Sequence, residues 1–146
     1  MNSHLITTTW KGGMQFESSN PGGSLIIDAA EEVGGTNNGL RPKALMLSAL
    51  AGCSGLDVAS LIKKMRLTVA DFNIVTEGFL TDTDPQVYHQ VKVAYHFYGS
   101  NLDKEKLKKA VDLSVDKYCG VLQMFRSFAT VDIEIVYYED ETTSSK

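Results

Sequence analysis

The spacing of apolar side chains changes period several times along this chain, and each change marks a predicted element. Short β-prone runs at Leu5–Trp10 and Met14–Ser18 flank Lys11-Gly12-Gly13, a tight-turn signal. Asn20-Pro21-Gly22-Gly23 predicts a second turn, and Leu25, Ile26 and Ile27 mark a third strand over Ser24–Asp28. Glu31–Leu40, with its Gly34-Gly35 and Asn37-Asn38-Gly39 clusters, reads as a loop. Pro42 suits the first turn of a helix, where a missing N–H costs nothing. That helix is expected to reach Lys63–Met65, ending in cations that favour the negative end of its dipole.

Period two returns over Val69–Thr81 and Gln86–Tyr98, two long strands joined by Thr81-Asp82-Thr83-Asp84-Pro85. In the second, Val87, His89, Val91, Val93, Tyr95 and Phe97 fall on one face, and Gln90, Lys92 and His96 on the other. Ser100-Asn101-Leu102-Asp103 matches a capping box. It predicts one amphipathic helix from Leu102 to Tyr118, with Leu107, Ala110, Val111, Ser114, Val115 and Tyr118 inward and Lys104, Glu105, Lys108, Lys109 and Asp112 outward. Gly120 allows a turn, Val121–Arg126 reads as a short helix, and Phe128–Tyr138 as a last strand. Segregated strands and helices point to an α+β fold, taken as a single domain over 1–140 with a flexible polar tail at 141–146.

Composition narrows the function. The chain has 146 residues, 43% of them hydrophobic, and a net charge of -4. An acidic balance argues against nucleic acid as a partner, because phosphate contacts need clustered cations. The first helix is uncharged from Ala44 to Ile62 except for Asp57, but Ser48, Gly52, Ser54, Gly55 and Ser60 make it a poor membrane span. It reads as the buried centre of a globule or an oligomer. No basic and apolar leader is visible at the start, so a reducing, cytoplasmic setting is expected.

Candidate chemistry centres on Cys53 and Cys119, the only cysteines. Sixty-six positions separate them, which rules out a CxxC motif or a zinc ribbon. Cys53 lies several turns into its helix, beyond reach of the dipole, with no cation within one turn. Arg41 and Lys43, at the helix start, are the nearest cations in sequence. Asp57, one turn beyond Cys53, is a surface or capping charge, or, if buried, raises a nearby thiol pKa. Cys119 closes a helix, which disfavours a thiolate, unless a new helix begins at Gly120 and offers its N–H groups. Inert packing remains open for both, since free cysteine is commonly a buried hydrophobe. His4, His89 and His96 form no ligand pattern, so no metal is expected.

Arg41-Pro42-Lys43 leading into Ala44–Val58, with Gly52-Cys53-Ser54-Gly55-Leu56-Asp57, and the run Ser114-Val115-Asp116-Lys117-Tyr118-Cys119-Gly120-Val121 resemble the OsmC/Ohr family. The strand and helix order agrees over nearly the whole chain. The resemblance implies an intertwined homodimer with buried cysteine helices and two sites at the subunit interface. It implies thiol-dependent reduction of organic hydroperoxides or hydrogen peroxide, part of an oxidative stress response. Cys53 would be the attacking thiolate, Cys119 the resolving thiol, and an external dithiol the reductant, with no bound cofactor. The family's activating pair, a loop arginine and a glutamate just after the helix proline, is altered: Lys43 stands at the glutamate position and 28–40 holds no arginine. The chain is therefore similar to a branch of the family with an altered site, where Arg41 or Lys43 would supply the cation. The alternatives are a non-peroxidase dimer that binds a small lipophilic or thiol ligand, with Tyr118 and Phe125 lining its pocket, and a scaffold whose cysteines only pack.

Overall fold

A computed structural model describes residues 2–139 and resolves the chain into two compact units, Met1–Met46 and Leu47–Lys146. The expected polar tail at 141–146 lies outside the described residues. The elements mix strands and helices as α+β.

The first unit holds an antiparallel meander of β1 (Thr7–Gly12), β2 (Gln15–Asn20) and β3 (Gly23–Ile27). Gly12 and Gly13, both at positive φ, make the first turn, which asks a conformation that side chains resist. The loop after β3 contains a single 3₁₀ turn at Glu31–Val33 and returns to the sheet through a bridge between Ile27 and Leu40. Its centre is Asp28, 2% exposed. The Asp28 carboxylate accepts from the Ala29 amide at 2.7 Å, the Thr36 hydroxyl at 2.6 Å, and the Thr36 and Asn38 amides.

Those donors, the Thr36 hydroxyl foremost, hold the Asp28 carboxyl down at about 2 although burial pulls the other way. An acid depressed in the folded state stabilises fully above its unfolded value, near 3.8, and loses that stabilisation as pH falls toward 2. Asp28→Asn should therefore lower the urea midpoint at neutral pH, with the gap to wild type closing as the pH is brought down toward about 2. A gap that stays constant with pH would assign the carboxylate a neutral role.

The helix α1 (Pro42–Lys64) begins in the first unit and runs through the second. Among the described residues it is the one helix long and apolar enough to cross a bilayer by length and composition. Only Leu50, Ser54 and Val58 on it are buried, with Leu47, Cys53 and Ile62 partly so. These positions recur every three or four residues and form one stripe. The expectation of a buried central helix thus holds for that stripe alone within the chain. Leu56 is 76% exposed and Met46 44%.

The stripe packs on the second sheet, of order β4 (Asp71–Leu80), β5 (Tyr88–Gly99), β6 (Thr130–Glu139), with β4 antiparallel and β6 parallel to β5. Val91, Val93, Tyr95 and Phe97 are buried as the alternation predicts, but Val87 is 49% exposed and His89 is exposed. A register shift at Phe79/Leu80 pairs Leu80 with Tyr88, which becomes the buried residue and lies over Gly78, where a Cβ would meet its ring.

Between β5 and β6 the predicted single helix starts two residues late and widens in its last turn. Asn101 adopts a left-handed φ, so the chain turns before the helix can start. The cap is then Asp103 rather than Ser100, its carboxylate accepting from the Lys106 amide at 3.1 Å. The helix α2 covers Lys104–Leu113, a π turn follows at Ser114–Tyr118, and α3 covers Gly120–Arg126.

Candidate functional site

Two remote sulfurs meet in the second unit. Cys53, half-buried, projects from the middle of α1, and Cys119, 4% exposed, sits in the joint between the π turn and α3. The two thiols are near neighbours, close enough for Cys53 to act on the Cys119 thiol. The π turn makes this possible: the Cys119 amide donates back to the Ser114 carbonyl at 2.8 Å, five residues earlier, and the chain then leaves the helix in an extended conformation. A continuous α-helix would carry position 119 onward around the axis.

Cys119 also caps α3. Its sulfur accepts the Leu122 amide at 3.3 Å, so the helix that begins at Gly120 does supply an N–H to this sulfur. Burial nevertheless pushes the Cys119 thiol well above the ordinary range, helped by its contact with Cys53 and by the negative charge of Asp57, while the Leu122 amide pulls it down. Cys119 is thus held as a neutral thiol at physiological pH.

Beside the sulfurs runs a buried chain of hydroxyls. Ser54, next in sequence to Cys53, lies 2.6 Å from the Tyr95 hydroxyl and 2.8 Å from the Ser114 hydroxyl. Ser114 donates to the Asp57 carboxylate at 3.0 Å. Each hydroxyl has one proton to give, so Ser114's donation to Asp57 fixes the direction of the rest. Tyr95 donates to Ser54, Ser54 to Ser114, and Ser114 to Asp57. Ser54, Ser114 and Tyr95 are all fully buried. Burial pushes the Tyr95 phenol up to about 12, with the Asp57 charge adding to it, so it stays a donor. Asp57 is therefore neither a free surface charge nor a cap: it closes a buried network.

The sequence pattern did not single out Ser54, Ser114 and Tyr95 as site residues. The available signal was polar atoms at positions that the periodicity sends to the core, since buried hydroxyls need partners.

The other expected site residues have the following surroundings. Arg41, in the first unit, donates to the Asp28 carbonyl at 3.3 Å, the Gly39 carbonyl at 2.9 Å and the Asn37 side-chain oxygen, and so braces its own loop. Lys43 stands exposed on the first turn of α1. Tyr118, 50% exposed, lines a hollow of about 190 Å³ with Asp57, Ser60, Leu61 and Lys64. Phe125 is a core residue, 2% exposed, tilted against Phe128 at 4.9 Å. A larger apolar groove of about 580 Å³ lies along the other flank of α1, over Ala51, Gly52, Gly55 and Leu56, and is walled by Phe72 and Ile74. Small residues on the helix create it. No cluster of three or more His, Cys, Asp or Glu fit to hold a metal occurs among the described residues.

Known proteins resemble this chain in sequence and in fold. Protein YhfA of Escherichia coli K12 is 25% identical over 122 residues, covering 84% of this chain and 89% of its own. A hypothetical protein from Aquifex aeolicus VF5 superposes with a TM-score of 0.84 at 28% identity, over 97% of this chain and 100% of that one. The organic hydroperoxide resistance protein OhrB of Bacillus subtilis has the same fold, with a TM-score of 0.63 at 18% identity over 92% and 98% of the two chains. The family model for OsmC-like proteins matches residues 35–134, a span that takes in both sulfurs and the hydroxyl chain between them, and this chain belongs to that family.

Proposed function

We propose that the protein serves in defence against redox stress as a thiol-dependent peroxidase, reducing organic hydroperoxides or hydrogen peroxide. The observation that carries this reading is that Cys53 and Cys119, from opposite halves of the second unit's sequence, are near neighbours in the fold. A named neighbour, OhrB, is an organic hydroperoxide resistance protein.

In this reading the Cys53 thiolate attacks the terminal oxygen of the hydroperoxide. The O–O bond breaks, the alcohol leaves with a proton, and Cys53 becomes a sulfenic acid. The Cys119 sulfur then attacks the sulfenic sulfur, expelling water and forming a disulfide. A small or protein dithiol returns both to thiols, supplying two electrons and two protons. A second copy of the chain covers the exposed side of α1. Leu56 and Met46, apolar and outward, support that homodimer. The site needs no bound cofactor, and a reducing, cytoplasmic compartment keeps both thiols ready.

Intact-mass analysis after equimolar cumene hydroperoxide tests the reading. Wild type should lose the mass of two hydrogens. Cys119→Ser should instead gain one oxygen, as a sulfenic acid trapped by dimedone. Wild-type protein whose mass is unchanged would overturn the proposal.

A further inference from the structure

Two segments hold the sulfurs, and hydrogen bonds centred on Ser114 join those segments. Ser54 is bonded to Cys53 through a peptide, and Ser114 receives the Cys119 amide on its carbonyl at 2.8 Å. The two serine hydroxyls meet at 2.8 Å. From the outside Tyr95, on β5, fixes Ser54, and Asp57, one turn along α1, fixes Ser114. Ser54, Ser114 and Tyr95 are fully buried, so their hydrogen bonds cannot be exchanged for water without opening the core. The π turn that delivers Cys119 begins at Ser114 itself. Such turns, wider than the α-helix, are commonly found at functional sites.

We propose that the Tyr95–Ser54–Ser114–Asp57 chain is a clasp that positions Cys53 and Cys119 for bond formation and so favours disulfide closure over further oxidation of Cys53. The proposal rests on the peroxidase reading for its biological use, but the clasp itself concerns only the two thiols. When Cys53 carries a sulfenic oxygen, two fates compete. Attack by the Cys119 sulfur gives the disulfide and water. Attack on a second hydroperoxide gives a sulfinic acid and another alcohol, which thiols do not reverse. Intramolecular closure wins only while the sulfurs are held at bonding geometry, because effective concentration depends steeply on orientation. None of the clasp residues touches the reacting atoms as an acid or base in this scheme; they are positioning residues.

The clasp is tested in a form that does not depend on peroxide. The equilibrium between the reduced protein and oxidised dithiothreitol reads the effective concentration of the thiol pair directly. One disulfide bond forms in the protein as one breaks in the reagent. In Ser114→Ala this constant should fall by about tenfold, the scale of one lost hydrogen bond at its upper range. Tyr95→Phe, which keeps the ring and removes only the outer hydroxyl, should fall by less. With excess cumene hydroperoxide, both variants should accumulate sulfinic acid at Cys53 where wild type ends as disulfide. A merely structural role would lower the urea midpoint and leave the dithiothreitol constant of the folded protein unchanged. Should Ser114→Ala fail to fold, Tyr95→Phe and Asp57→Asn carry the same measurement. Folded variants with the wild-type constant, or wild type that dithiothreitol cannot oxidise, would overturn the clasp. If wild type closes its disulfide with dithiothreitol and the variants do so less well, while hydroperoxide leaves every form untouched, the clasp stands and the peroxidase reading fails.

Discussion

Cys53→Ser should consume hydroperoxide no faster than buffer alone. The argument is chemical rather than structural. A serine hydroxyl in place of the thiol is nearly the same size, so α1 and its buried stripe should be retained. The oxygen, however, is not ionised near neutral pH and is a poor nucleophile toward peroxide oxygen. Cys119 does not compensate: it is 4% exposed, and its burial keeps it protonated. The loss should therefore be complete, in contrast to Cys119→Ser, which still accepts one oxygen. Peroxide consumption is measured with the reductant in excess, and the urea midpoint of the same sample should stay within about 1 kcal/mol of wild type. Undiminished turnover would remove Cys53 from the mechanism.

The second large effect is on stability. Phe97 is fully buried near the end of β5, the middle strand, stacked on Phe72 at 4.9 Å and facing Tyr137 at 6.2 Å, so it ties all three strands of the second sheet together. Phe97→Ala removes the ring from the middle of that stack and leaves a cavity. The expected cost is about 3–5 kcal/mol, a large part of the ~5–15 kcal/mol that folds an ordinary domain. The variant should show a urea midpoint far below wild type, or no cooperative transition. Phe97→Leu, which fills more of the space, should lose less. A midpoint change smaller than about 1 kcal/mol would mean the ring stack is incidental.

Much of this was legible in the residues. The two strand-rich blocks, Pro42 at the start of α1 and the family resemblance all follow from patterns that local physics enforces. The misreadings share a cause. Tyr88 displaces Val87 and His89 from the core because His89 is an extra residue of β5 between the Phe79–Gln90 and Leu80–Tyr88 pairs, an irregularity set by pairing between strands, which period-two counting in one strand cannot see. The single helix expected over Leu102–Tyr118 gives way to a π turn because Ser114 has partners on α1. At the site, Cys53 and Cys119 were visible as thiols, and their meeting followed only from the family resemblance. Ser54, Ser114 and Tyr95 were not visible as a unit, because a chain of hydroxyls from α1, β5 and the π turn has no sequence period at all.

The parallel pairing of β6 with β5 reaches into how the molecule is made. A parallel partner must be brought round by a long connection, and here that connection carries the second sulfur. On the ribosome, Cys53 therefore emerges well before Cys119, which follows only with that connection. The newborn chain therefore carries a lone thiol for an interval, and the pair exists only once that late connection has been made.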